Sequence, residues 1–144
     1  MIPTLFGRAT AVLGDHARLH VLLDQLRKIA NPEEGPALEL ELELFALVCE
    51  FEKKLSEHFA AEEDDGYFGT LTATVPALAG EVDRLCNEHD EFALMVQALV
   101  QLSRSAEDIG PFRLALKDFL ERFRAHELAE TRVLQTFFQR SGVP

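Results

Sequence analysis

Four stretches of this chain carry apolar residues at alternating spacings of three and four, and this recurrence restricts the fold more than any other feature. Residues 9–30 place Ala9, Val12, His16, Leu19, Leu23, Leu26 and Ala30 on one helical face. A second stretch, about residues 37–65, does the same with Leu44, Val48, Phe51, Leu55, His58 and Glu62. The third stripe reads Leu78, Val82, Leu85, His89, Phe92, Val96 and Leu99, and the fourth Leu116, Phe119, Phe123, His126, Glu130, Val133 and Phe137.

Breaks fall between them: residues 31–36, Gly66, a loop with Gly69, Thr70, Thr72, Thr74 and Pro76, the pair Gly110 and Pro111, and finally Gly142 and Pro144. Pro111 suits a first helical turn. Residues 38–44 alternate Leu and Glu, which taken alone reads as a strand. Both are good helix formers, however, the run lacks β-branched residues, and the next fifteen positions keep the helical period, so a helix is expected. Together these stretches predict an all-α fold, an antiparallel up-down-up-down four-helix bundle forming a single domain over residues 1–144.

A formal net charge of -11 argues against nucleic acid and against an anionic membrane surface, since both require clustered Lys and Arg. The chain has no run of eighteen apolar residues, and its start, MIPTLFGRAT, lacks the features of a secretory signal. A cytoplasmic protein is expected. Cys49 and Cys86 have neither disulfide-framework nor zinc-finger spacing and read as small hydrophobes.

Of the five histidines, four (His16, His58, His89 and His126) fall in the inward stripes of four different helices. One such histidine alone reads as a core residue with a hydrogen-bond partner; four together point to a shared site. His58 and His126 are each followed one turn later, on the same face, by Glu62 and Glu130. A carboxylate on an apolar stripe carries a heavy desolvation cost unless a cation or a hydrogen-bond network offsets it. In an antiparallel bundle all six residues converge near one end. Mixed imidazole and carboxylate donors suit iron or manganese better than structural zinc, and two inward Glu side chains are able to bridge two ions.

The ordered set His16 in GDHARLH, His58 and Glu62 in EHFAAEEDDGYF, His89 in NEHDEF, and His126 and Glu130 in RAHELAETRVLQTFF resembles the hemerythrin-like, or HHE cation-binding, family across all four helices. The resemblance implies a cofactor of two iron ions, Fe2+ or Fe3+, with a bridging oxo or hydroxo group, reactive toward O2, hydrogen peroxide or nitric oxide. Ferritin-like di-metal bundles need Glu-x-x-His pairs. Here Leu13, Ala17, Leu55, Cys86 and Phe123 stand three before the histidines.

The oxygen carriers of the family have HxxxH on the third helix and an Asp on the fourth, where this chain has Ala93 and Glu130. One histidine ligand is missing, which implies an additional open coordination position and disfavours reversible oxygen carriage. His20, one turn after His16, reads either as a fifth histidine ligand or as a group beside the ligands or on the surface. Tyr67, the single tyrosine, reads as a boundary aromatic or as a contact of the iron site. The acidic run at 62–65 reads as a solvated helix end. Phe51, Phe92, Phe119 and Phe123, with Leu19, Leu55 and Leu85, are expected as core residues and as an apolar shell for the centre.

Two functional classes follow. One is a stand-alone di-iron protein that binds or reduces O2, peroxide or NO with electrons from a separate donor. The other is a non-catalytic oxygen, redox or iron sensor, an oxygen-binding module or an iron store. Sensors of the family usually carry an output domain, and its absence from these 144 residues tilts the expectation toward the reactive protein. No catalytic residue and no oligomeric state is read from the sequence.

Overall fold

The computed structural model describes residues 2–30, 38–64, 66–104 and 108–141, with side chains at 14–28, 43–64, 66–104 and 108–141. The expected breaks at 31–36 and at Gly142 and Pro144, residue Asp65, and the side chains of Ala9, Val12 and Ala30 lie outside these. Helix α1 spans Ile2–Ala30, α2 Leu38–Glu63, α3 Phe68–Thr74, α4 Ala79–Arg104 and α5 Gly110–Arg140, and a 3-10 turn, Pro76–Leu78, precedes α4. The described residues contain no strand, and the Leu-Glu run lies at the start of α2. Helix α1 begins before residue 9; Pro3 falls in its first turn, where a missing N–H costs nothing.

The four long helices form a helical bundle: α1 packs on α2, α2 on α4 and α4 on α5. His16 and His20 meet Glu127, which brings α1 to α5 and closes the circuit. The stripes are buried as their period demands, with Leu19, Leu23, Leu26, Leu44, Val48, Phe51, Leu55, Val96, Leu99, Leu116, Phe119 and Phe123 all nearly inaccessible.

The segment expected to be a loop after α2 is instead helical. Gly69 and the threonines of α3 are weak helix formers, but Phe68, Leu71 and Val75 recur at helical spacing and are buried with Tyr67 against Leu78, Val82, Leu85, Val133 and Phe137. Burial of that face outweighs propensity. Val75, held extended before Pro76 (φ -126°, ψ 84°), ends α3.

Two apolar clusters result. One runs from Leu19 and Leu26 through Phe51, Phe92 and Phe119 to Phe123, and the other is built around Tyr67, Leu71 and Phe137. His58, Glu62, His89, His126 and Glu130 are buried at the positions between them, after Leu55, before Phe92 and between Phe123 and Val133. The core is therefore split by one polar layer.

Candidate metal centre

All six sequence-selected side chains come together. His58 Nε2 lies 3.5 Å and His89 Nε2 lies 3.2 Å from the same atom, Glu62 Oε1. Glu130 Oε2 lies 3.8 Å from His16 Nε2 and 3.9 Å from His126 Nε2. The His16 and His58 rings are 4.6 Å apart and those of His89 and His126 5.1 Å. Donor atoms of His16, His58 and Glu62 form one group within 4.8 Å of one another, and those of Glu62, His89 and His126 form a second. Glu62 belongs to both.

These groups are costly as they stand. Among the described residues, the buried side-chain N and O atoms without a hydrogen-bond partner are His58 Nδ1 and Nε2, both Glu62 oxygens, His89 Nε2, His126 Nε2 and Glu130 Oε2. Each such group costs about 1–3 kcal/mol when left unsatisfied, so a cluster of them in a native core calls for a ligand. Every one belongs to the predicted set. Burial, reinforced by the neighbouring imidazoles, lowers His58 to a pKa of about 4 and His89 to about 3, so both rings are neutral with a lone pair to donate. Burial and the adjacent Glu130 raise Glu62 well above the usual carboxylate range. A cation in contact with Glu62 would take the place of that proton.

Aromatic rings close the layer. Phe59 stacks on His89 at 3.8 Å with the planes 9° apart, Phe92 stands edge-on 5.1 Å from His126, and Phe123 stacks on it at 6.2 Å. Phe51 and Phe119 pack on one another one layer deeper. Phe59 was not singled out from the sequence, although Leu55, His58, Phe59 and Glu62 have the spacing of one broad helical face.

Tyr67 is fully buried, and its hydroxyl donates to Glu130 Oε1 at 3.4 Å, so of its two readings the contact with the site is the one that the geometry matches. Burial and the two glutamates raise its pKa, which keeps it a neutral donor. His20 does not join the six. Its side chain is 49% exposed and its Nε2 is bonded to Glu127 at 2.9 Å.

Ala93 departs from the place that the carrier pattern implies. It is exposed and lines a cleft of about 650 Å3 between α2 and α4, together with Phe59, Ala60, Glu63 and His89. On the buried face, the residues one turn from His89 are Leu85, packed with Tyr67 and Val133, and Phe92. The half-buried Cys49 and Cys86 are free, and burial, aided by Glu63, pushes the Cys86 thiol up to about 11, so it acts as a small hydrophobe rather than a thiolate.

The family model described as the hemerythrin HHE cation binding domain matches residues 9–138. The chain belongs to the hemerythrin family. No curated protein and no solved structure matches it. The match covers all four long helices and hence all six clustered side chains, and the two His and Glu groups are suited to holding the cation that the family's description names. Among the described residues no helix of this hemerythrin-family chain is long and apolar enough to cross a membrane.

Proposed function

We propose that this chain is a single-domain, antiparallel up-down-up-down bundle that holds two iron ions on His16, His58, Glu62, His89, His126 and Glu130. The observation that carries the reading is the set of seven buried, unpartnered donor atoms, all on those residues. Two donor groups sharing Glu62, with Glu130 facing both His16 and His126, match a pair of ions better than a single one. The antiparallel arrangement is supported by Arg104, in the last turn of α4, over Phe45 near the start of α2 at 5.3 Å, while Glu62 near the end of α2 meets His89.

When bound, a pair of irons supplies electrons and an open coordination position for reaction with O2, hydrogen peroxide or nitric oxide. The protein's part is to hold the donors in place and keep the layer dry. The imidazoles offer Nε2 inward, and Glu62 and Glu130 bring the negative charge that two cations require. Phe59, Phe92 and Phe123 exclude bulk water, and Tyr67 fixes Glu130. Only four imidazoles reach the layer and Leu85 stands on the buried face beside them, which supports an open position and hence reaction rather than carriage. Free thiols at Cys49 and Cys86 fit a cytoplasmic setting.

The test is to mix anaerobically reduced, iron-loaded protein with peroxide, NO and O2. Rapid peroxide or NO consumption without repeated O2 release is expected. Repeated binding and release of O2 with no peroxide consumption would make the protein a carrier instead.

A further inference from the structure

The outward faces of the four clustered histidines follow one rule. His89 Nδ1 is hydrogen-bonded to Glu63 Oε2 at 2.9 Å and His126 Nδ1 to Glu88 Oε1 at 2.8 Å, while Asp15 Oδ2 stands 3.7 Å from His58 Nδ1 and Glu127 Oε2, which is bonded to His20, stands 3.8 Å from His16 Nδ1. Each acid comes from a different helix and stands beside one of the clustered residues in sequence: Asp15 before His16, Glu63 after Glu62, Glu88 before His89 and Glu127 after His126. None serves a histidine of its own helix. Asp15 on α1 reaches α2, Glu63 on α2 reaches α4, Glu88 on α4 reaches α5, and Glu127 on α5 returns to α1.

From these pairs we infer that Glu63 and Glu88 are positioning carboxylates that fix His89 and His126 as Nδ1–H tautomers with Nε2 presented to the centre, within a ring of acids that Asp15 and Glu127 complete at longer range. The inference rests on the metal-site reading given above. A neutral imidazole carries one ring hydrogen, and an acceptor at Nδ1 holds it there, leaving the lone pair on Nε2. Carboxylates that orient ligand histidines in this way raise their basicity.

The helix geometry explains the ring. One residue rotates a helical position by about 100°, so the neighbour of an inward residue lies at the seam with an adjacent helix. The acids precede a clustered residue on α1 and α4 and follow one on α2 and α5. Passing round a bundle in one sense requires that alternation when successive long helices run in opposite directions. The ring also lies where carboxylates are cheap: their side chains are 34%, 46%, 32% and 17% exposed, in the order Asp15, Glu63, Glu88, Glu127, so they keep part of their hydration.

The test begins with the metal-free wild-type protein, whose ring tautomers are read by long-range 1H–15N correlation at pH 8. His89 and His126 are expected as Nδ1–H, and His20, bonded through Nε2, serves as the internal contrast. Fe(II) is then titrated anaerobically against a competing chelator into Glu63→Met, Glu88→Met and their Gln counterparts. The Met variants, which remove the acceptor, are expected to lose roughly 10–100-fold in affinity and the Nδ1–H signature of His89 or His126, while Gln, which keeps an acceptor oxygen, recovers part of both. Nε2–H tautomers at His89 and His126 in the wild type, or Met variants that bind Fe(II) as tightly as wild type, would overturn the ring. Failure of the metal-site reading looks different: correct tautomers in a protein that takes up no Fe(II).

Discussion

Glu62 on α2 and His89 on α4 face one another across 3.2 Å, and neither Glu62 Oε1 nor His89 Nε2 has a hydrogen-bond partner. Two inward-facing lone-pair donors in a dry layer are stable together only when a proton or a cation lies between them.

The first concerns metal-free stability. His58 and His89 titrate near 4 and 3 in the fold against 6.5 when free, so below pH 6.5 the unfolded chain binds more protons and stability falls as pH drops. Glu62 is shifted upward from 4.5, so its contribution is present at low pH and is lost as pH rises through its folded-state value. The histidines thus set a loss of stability on the acid side, and Glu62 sets a loss on the alkaline side of its folded-state value. The melting temperature of metal-free protein should therefore fall as pH drops below 6.5 and fall again toward alkaline pH. A melting temperature that climbs steadily to pH 9 would contradict this.

Glu62→Gln separates stability from binding. It removes the charge that burial opposes, so metal-free protein at pH 9 should melt no lower than wild type and the alkaline fall should disappear. It also removes the donor shared by both groups, so metal content should drop by at least one ion per chain. A variant that melts as expected and still carries the full complement would show that Glu62 is not a ligand.

Tyr67→Phe deletes one buried hydroxyl and its bond to Glu130. A loss of about 0.5–1.5 kcal/mol is expected, which lowers the melting temperature by roughly 2–4 °C in a domain of this size. The metal complement should stay and the visible absorption should shift. An unchanged spectrum would remove Tyr67 from the account.

Three substitutions sort the positions next to the ligands. His20→Ala should leave metal content intact, because His20 is exposed and bonded to Glu127. Ala93→His should also leave content and absorption unchanged, since its side chain would enter the cleft between α2 and α4. Leu85→His puts an imidazole on the buried face and should alter the absorption, at a cost of several °C from lost packing. Metal loss in His20→Ala would instead make it a ligand.

The helices and the six clustered residues were legible because burial writes a period into the sequence, and an ionisable residue that keeps the period stands out. The outer acids were not: with 25 acidic residues in the chain, Asp15, Glu63, Glu88 and Glu127 carry no distinguishing spacing, and their partners lie on other helices. Helix α3 was hidden by its Gly and Thr content, since its burial depends on a surface built by α4 and α5. Tyr67 was legible only as a choice between two roles. Position 93 lies off the buried face, as the third stripe of Leu85, His89, Phe92 and Val96 implies.

The most direct test is metal analysis, with the visible spectrum, of protein expressed with adequate iron and gently purified in air. The two donor groups joined by Glu62 predict close to two irons per chain and an iron-centred absorption lost when the metal is removed. A single zinc, or protein that is metal-free and no less stable for it, would contradict the account.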